Sequence, residues 1–376
     1  MKRIGYIYIV LAGLLFGGCS KDEPDGKEPT FEAKEESLVV VNSGNFNSSN
    51  ASLTVWNQET GSQNNVFASV NGFKLGDVAQ SATVHGDLLW VVVNNSNIVF
   101  ALDKYTFKEK GRIDSGIASP RYIHFVSDDK AYITQMYSDK IAIVNPTTFS
   151  VTGYISVSST PGSVGSSEEM VQVGDYVYVN LWSYGKSIDK IDTKTDKVVE
   201  QYIVGIQPCS IVKDLHDNIW TLCDGGGWEE NPIGYEAPSL IEFTLNPGIV
   251  GSTWERKRTF ELPLGASVSN LCTNGIGTRL YFLVNEYNAE GKNVGGVYML
   301  DLTEQYPSFK IVVPAGDRYL YCMTVSPITE QIFVADVLDY EQTGVVYRYT
   351  SEGRQLGTFD AGIIPTSYAW IIKVTK

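Results

Sequence analysis

The chain has 376 residues and a net charge of −14, which argues against a nucleic-acid-binding surface and against electrostatic docking on anionic lipid. Its 22 tyrosines and 7 tryptophans are enough amphipathic aromatics for both a β core and a recognition face. The length would fit two or three domains, but all-β bodies often run long as one unit, and no low-complexity tract divides this one.

Lys2 and Arg3 precede an apolar run from Ile4 to Phe16, followed by Gly17, Gly18 and Cys19. The run is too short to span a bilayer comfortably, and small residues before a cysteine suit signal cleavage. Leu15-Phe16-Gly17-Gly18-Cys19 resembles a bacterial lipobox. The resemblance implies a signal peptide over 1–18 and a mature chain that starts at a lipidated Cys19; a secretory signal with an incidental cysteine is the alternative. Residues 20–36 are charged and nearly free of apolar groups, so 19–37 is expected to be a solvated acidic tether. Ser20-Lys21-Asp22-Glu23 resembles the surface-export signal of Bacteroidetes lipoproteins, although any acidic linker would read similarly. The folded body is expected over 38–376.

That body reads as short β-strands throughout. It opens with strands at Leu38–Asn42, Ser52–Trp56 and Asn64–Ala68. The clearest unit follows at 117–155, where Arg121–Val126, Ala131–Gln135, Lys140–Asn145 and Val151–Ile155 form a four-stranded meander. Its strands are β-branched and aromatic, and its turns, such as Ser127-Asp128-Asp129-Lys130 and Asn145-Pro146-Thr147-Thr148, carry the side chains that preset reversed backbone. A lone meander of this kind cannot bury its two faces, and the chain supplies copies of it. The first strand recurs at Val78–Val84, Glu168–Val173, Cys209–Lys213, Val268–Thr273, Tyr319–Val325 and Thr366–Ile371, the last within a closing strand over Ser367–Lys373, several times after a loop ending in Gly76, Pro120, Pro161, Pro208 or Pro365. An aromatic opens the second strand at Trp90, Tyr132, Tyr178, Trp220, Tyr281 and Phe333, and turns such as VWNQETG (55–61) and YRYTSEG (347–353) end the third. The spacing suits propeller blades, and the count predicts an all-β, seven-bladed β-propeller of four-stranded antiparallel blades. Because the body starts on a second strand and ends on an extra first one, the C-terminal strand is expected to complete the N-terminal blade and close the ring.

Ala131-Tyr132-Ile133-Thr134 and Tyr176-Val177-Tyr178-Val179-Asn180 resemble the YVTN-type propeller repeat. VNSGNF (41–46), NGFKLGDVAQS (71–81) and SPRYIHFVSD (119–128) are similar to surface-exposed propeller lipoproteins of Bacteroides. The resemblance implies a lipid-anchored protein on the outer-membrane surface that binds cobalamin (vitamin B12) or another corrinoid and hands it to a TonB-dependent transporter. It would be a monomer apart from that transporter and would touch the membrane only through its anchor.

Catalytic chemistry is sparse. Of three histidines, His85 and His216 fall in expected turns, and His124 has no His or Cys partner at metal spacing. Strict alternation sends Glu168 and Glu169 to opposite faces, a poor acid–base pair. Gly225-Gly226-Gly227 leads into a loop, not a phosphate-binding helix. The expectation is a non-enzymatic protein without cofactor or metal. Cys209 and Cys223 are expected on successive strands of one blade, where an exported protein could pair them; four scattered strand cysteines (209, 223, 272, 322) more often serve as small buried hydrophobes, which is the expectation here.

Recognition is better supplied. The second-to-third-strand loops and the loops between blades share one face in a propeller. Read at those positions, the chain offers Asn42, Asn45 and Phe46; Asn94, Asn95 and Asn97; Gln135 and Tyr137; Asn180, Trp182 and Tyr184; Asp224 and Trp228; Asn285 and Tyr287; Asp336 and Tyr340; and between blades Phe73, Arg121, Tyr122, Arg318 and Tyr319. Asn and Tyr are also common at loop ends, so each alone says little. As a ring of amides and aromatics they suit a large, neutral, amide-rich ligand. A cell-surface adhesion or protein–protein module is the alternative, and a propeller lyase or lactonase a third.

Overall fold

The computed structural model describes residues 33–157, 166–245 and 254–375. The lipobox with Cys19, most of the tether, Pro161 and the end of the third-strand turn FTLNPG (243–248) lie outside them. Seven four-stranded antiparallel sheets make up the body. The first begins with β1 (Ala33–Asn42), β2 (Ser52–Asn57) and β3 (Gly61–Gln63), and a short helix α1 (Val66–Asn71) follows. The second blade is β4 (Ala79–His85), β5 (Leu88–Val93), β6 (Ile98–Asp103) and β7 (Glu109–Ile113). The third is β8 (Pro120–Ser127), β9 (Lys130–Gln135), β10 (Lys140–Asn145) and β11 (Ser150–Ser156). The fourth is β12 (Ser167–Val173), β13 (Tyr176–Leu181), β14 (Ser187–Asp192) and β15 (Lys197–Ile203). The fifth is β16 (Pro208–Lys213), β17 (Ile219–Cys223), β18 (Ser239–Leu245) and β19 (Trp254–Glu261). The sixth is β20 (Ser267–Thr273), β21 (Arg279–Asn285), β22 (Asn293–Asp301) and β23 (Lys310–Gly316). The seventh is β24 (Leu320–Val325), β25 (Ile332–Asp336), β26 (Thr343–Tyr349) and β27 (Gln355–Ile363).

The final strand, β28 (Pro365–Thr375), joins β1 as the innermost strand of the first blade, in the sheet order β28-β1-β2-β3. Innermost strands neighbour one another in the order β28, β4, β8, β12, β16, β20, β24 and back to β28, so the ring is closed. This is the seven-bladed β-propeller expected, closed by its two ends. The repeated aromatics Trp90, Tyr132, Tyr178, Trp220, Tyr281 and Phe333 are all buried. They sit in hydrophobic cores that lie between blades: Trp90 packs with Ile123, Ala131 and Ile133 of the next blade, and Phe333 with Leu38 and Val40. A blade buries its faces only against its neighbours, so closing the ring is what completes the core.

Two boundaries differ from the sequence reading. Asn64–Ala68, expected as a strand, opens α1 instead, and the fourth strand of the first blade is the short β3, paired with β2 through Val55 and Gln63. Asn65 adopts φ +58°, which breaks the extended backbone; the apolar pair Val66-Phe67 is then buried on a helix that ends at Gly72, whose N–H bonds the carbonyl of Ala68. At the other boundary, β1 begins at Ala33, so Glu35 and Glu36, assigned to the tether, lie in the sheet opposite Lys373 and Ile372. A backbone ladder needs no apolar side chains, and Glu36 finds partners in Ser326 Oγ at 2.6 Å and Thr329 Oγ1 at 3.2 Å across the closing junction.

Candidate functional site

Every innermost strand is bulged near its start. Gln80, Cys209, Tyr321 and Thr366 are each left without a partner on the adjacent strand. In the other three blades two residues face one: Arg121-Tyr122, Glu168-Glu169 and Asn270-Leu271. A bulge interrupts alternation and re-aims side chains. Apart from Leu271, the re-aimed residues of all seven blades line one cavity of about 300 Å³ on the ring axis. Trp182, Asp224, Ser210, Asn285 and Tyr319 complete much of its wall. Glu168 and Glu169 therefore reach the same space, contrary to strict alternation. The cavity lies at the starts of the innermost strands, the end of the ring from which the loops named above emerge.

One cation and two adjacent carboxyls dominate its chemistry. Arg121 Nε lies 2.9 and 3.0 Å from the two oxygens of Glu168, and its Nη1 donates to Gln80 Oε1 at 2.5 Å. Burial pushes the Glu168 carboxyl above its usual range, and Arg121 pulls against that. Glu169 Oε2 accepts from Ser210 Oγ at 2.6 Å and from the Ile211 amide at 3.1 Å. Removal from bulk water pushes Glu169 up to about 7 against those bonds, with the Glu168 charge adding to the rise. Burial likewise raises the Tyr122 hydroxyl. Asp224, also raised by burial, accepts from Trp182 Nε1 at 2.8 Å, the Gly226 amide at 2.8 Å and Gln207 Nε2 at 3.1 Å.

The structure sorts the sequence candidates into groups. Arg121, Tyr122, Trp182, Asp224, Asn285 and Tyr319 line the cavity. Phe46, Tyr137, Trp228, Tyr287 and Tyr340 are exposed on the loops around it, and Tyr184 is half-buried. Tyr340 packs against Tyr319 and Tyr321, each with ring centroids 5.8 Å away, giving the mouth an aromatic wall on the seventh blade.

The recurring amides serve the fold. Asn94, Asn180 and Asn285 donate Nδ2 to the carbonyls of Pro120, Pro208 and Leu320, the first residue of the next blade's innermost strand, at 3.0, 2.6 and 2.9 Å. They are latches between blades. Asn42 holds Thr54 Oγ1 at 3.1 Å and accepts from the Gly362 amide at 2.9 Å, and Asn95 bonds Asp77 at 2.6 Å. Asn45 reaches the Tyr340 carbonyl, Asn97 and Gln135 accept the Ser119 and Ala118 amides, and Asp336 caps its own turn through the Leu338 amide. Phe73 and Arg318 sit away from the mouth. Phe73 packs on Phe67 and under Arg112, while Arg318 lies over Tyr347 and bonds the Pro314 and Ala315 carbonyls. Sequence reasoning missed Gln80, Glu168, Glu169, Ser210, Asn270, Tyr321 and Thr366; apart from Ser210, which pairs regularly with Leu222, only a bulge signal could have found them.

His124 bonds Gln172 at 3.1 Å and burial lowers its pKa. His85 stacks on Phe125 and meets Asp128. No metal-ligating cluster occurs among the described residues. Cys209, Cys223, Cys272 and Cys322 are free thiols, and burial pushes Cys223, Cys272 and Cys322 up to about 12.

Solved structures share the fold. A putative 6-phosphogluconolactonase from Bacteroides fragilis is 13% identical with a TM-score of 0.65, covering 92% of this chain and 100% of that one. The periplasmic gluconolactonase PpgL of Pseudomonas aeruginosa is 12% identical at 0.64, covering 89% and 99%. Hydrazine synthase of Kuenenia stuttgartiensis is 13% identical at 0.62, covering 79% and 95%. At these identities the likeness is one of fold alone. No curated protein matches. The family described as "Domain of unknown function (DUF5074)" matches over residues 36–354, and the chain belongs to it.

Proposed function

We propose that this propeller is a binding protein that captures cobalamin or another corrinoid at the axial mouth. Tethered by lipid at Cys19 on the outer-membrane surface, it would pass the ligand to a TonB-dependent transporter. The observation that carries the reading is the pairing of a polar axial cavity with exposed aromatics around it. Trp228, Tyr137, Tyr287, Tyr340 and Phe46 offer stacking surface on the loops around a cavity lined with serine, amide and tyrosine groups. About 300 Å³ holds a group of fragment size and not a whole corrinoid, so the macrocycle would lie across the rim with a peripheral group pointing in. The absorption spectrum of the full chain after incubation with cyanocobalamin and desalting tests this: retained corrinoid bands are expected, and a colourless protein overturns it.

A second reading, a propeller lactonase or lyase, is favoured by one specific feature. Glu169 titrates near neutrality beside Arg121, the kind of shifted group that acid–base chemistry uses. Two of the fold's relatives are described as lactonases. Hydrolysis of gluconolactone that Glu169→Gln abolishes would favour it over capture.

A further inference from the structure

Among the groups that line the cavity, Arg121 and Glu169 each keep an atom that the fold does not use. Arg121 spends Nε on Glu168 and Nη1 on Gln80, and its Nη2 has no hydrogen bond among the described residues. Both bonds to Glu169 arrive at Oε2, from Ser210 and Ile211, so Oε1 receives none among them. The two side chains come from neighbouring blades, each aimed inward by its own bulge, and both line the axial cavity. Glu168, next to Glu169 in sequence, fixes the Arg121 guanidinium through its Nε.

This layout selects among small polar groups. The Arg121 charge is already balanced by Glu168, so an incoming carboxylate would meet Glu169 and Asp224 without a free cation. An ammonium would satisfy Glu169 and leave Arg121 Nη2 dry, at the cost of a desolvated donor. A primary carboxamide carries an acceptor and a donor side by side and no charge, which matches the pair. We propose that the floor of the axial cavity is a recognition site for a primary carboxamide, whose oxygen accepts from Arg121 Nη2 and whose NH2 donates to Glu169 Oε1. The inference deepens the corrinoid reading, on which it rests for its natural occupant, since corrinoid side chains end in such amides. It does not need that reading for its chemistry.

Calorimetry on the full chain at pH 8 with benzamide, benzoate and benzylamine, three probes of one shape and three charges, tests it. Benzamide is expected to bind at least tenfold tighter than either of the others. Glu169→Gln, whose oxygen would keep the Ser210 and Ile211 bonds, turns an NH2 toward the ligand's own NH2. It should lose at least tenfold for benzamide and move preference toward benzoate. Tighter binding of benzylamine or benzoate by the parent, or heat from none of the three, overturns the proposal without reference to any variant. Cyanocobalamin added to the benzamide complex separates the two readings. Displacement supports both; benzamide binding that cyanocobalamin leaves untouched keeps the amide site and removes the corrinoid. Cyanocobalamin binding with no preference for benzamide removes the amide site alone.

Discussion

Trp182 Nε1 donates to Asp224 Oδ2 at 2.8 Å, and that bond ties the fourth blade to the fifth at the lip of the axial cavity. Asp224 is drawn out of water there and kept supplied with donors by Trp182, Gly226 and Gln207. Asn231 extends the brace by bonding both Gln207 Oε1 at 2.9 Å and the Gly226 carbonyl at 2.7 Å. Trp182 is thus a strut as well as a wall. Trp228, four residues beyond Asp224, is exposed.

The two tryptophans should therefore separate under mutation. Trp182→Phe keeps most of the ring but takes one donor from Asp224, and should cost about 1–2 kcal/mol of stability. Trp228→Ala should leave the melting temperature nearly unchanged, as surface substitutions do, yet weaken corrinoid binding by about 2–4 kcal/mol, or roughly 30- to 1000-fold. Calorimetric melts of both variants, with cyanocobalamin titrations alongside, check the pair; parental affinity in Trp228→Ala removes the outer rim from the site.

The asparagine latches differ in what they leave behind. Asn285→Ala strands the Leu320 carbonyl and also takes from Asn293 Nδ2 its acceptor at 2.8 Å, leaving it only the longer contact to the Arg318 carbonyl at 3.5 Å. Asn180→Ala strands the Pro208 carbonyl alone, because Asn180 Oδ1 is buried without a partner already. A buried unpaired polar group costs about 1–3 kcal/mol, so Asn285→Ala should lower stability more than Asn180→Ala, by a margin of about 1 kcal/mol. Chemical denaturation of the two variants measures the order, and the reverse order would show that the latches act through something other than these bonds.

How far the sequence could be read follows from which signals are local. The blades were legible because β-branched strands, Asp- and Asn-bearing turns and a buried aromatic such as Trp90 or Tyr132 repeat at a steady spacing. Closure by β28 was legible because each end carried an orphan strand. Asn64–Ala68 failed because a short apolar run such as Val66-Phe67-Ala68 fits strand or helix equally, and the left-handed Asn65 that decides it leaves no pattern. Glu168 and Glu169 were sent to opposite faces by a period-two rule that a bulge suspends. The asparagines were visible as a ring but not as latches, since a polar residue at a strand end reads alike whether it faces a ligand or the next blade's backbone. All three failures concern backbone geometry or partners distant in the chain.

Deleting residues 366–376 should abolish cooperative folding. The deletion removes nearly all of β28, which pairs with β1 along its whole length. It takes Ile371 from the core between the first and second blades. It also takes Trp370, which stacks edge-on against Phe333 at 5.3 Å and bonds Thr324 Oγ1 at 3.0 Å. Loss of large core side chains costs about 3–5 kcal/mol each, against a total stability of about 5–15 kcal/mol. A single sharp melt at the parental temperature would place the closure elsewhere.

The ionisation of Glu169 should be visible as a pH-dependent stability difference. Its folded pKa is raised from 4.5 to about 7, chiefly by burial. Below pH 4.5 the carboxyl is protonated in folded and unfolded chains alike, and the stability tied to this group is fully present. Between 4.5 and 7 the unfolded chain releases the proton while the folded chain keeps it, so the folded state binds more protons and stability falls as pH rises. Above about 7 both are ionised and the loss is complete. The shift corresponds to roughly 3 kcal/mol, taking 1.36 kcal/mol per unit. Glu168, Arg121 and Tyr122, which surround the group, are present in both parent and Glu169→Gln and largely cancel in their difference. The variant should therefore gain on the parent by up to about 3 kcal/mol between pH 4 and pH 8, read from denaturation midpoints without ligand. Over the same interval benzamide binding to the parent should strengthen, because the carboxamide needs the ionised oxygen as its acceptor. A stability difference that stays flat with pH would mean that Glu169 ionises as freely as in water, and the cavity would then lack the dry floor its geometry implies.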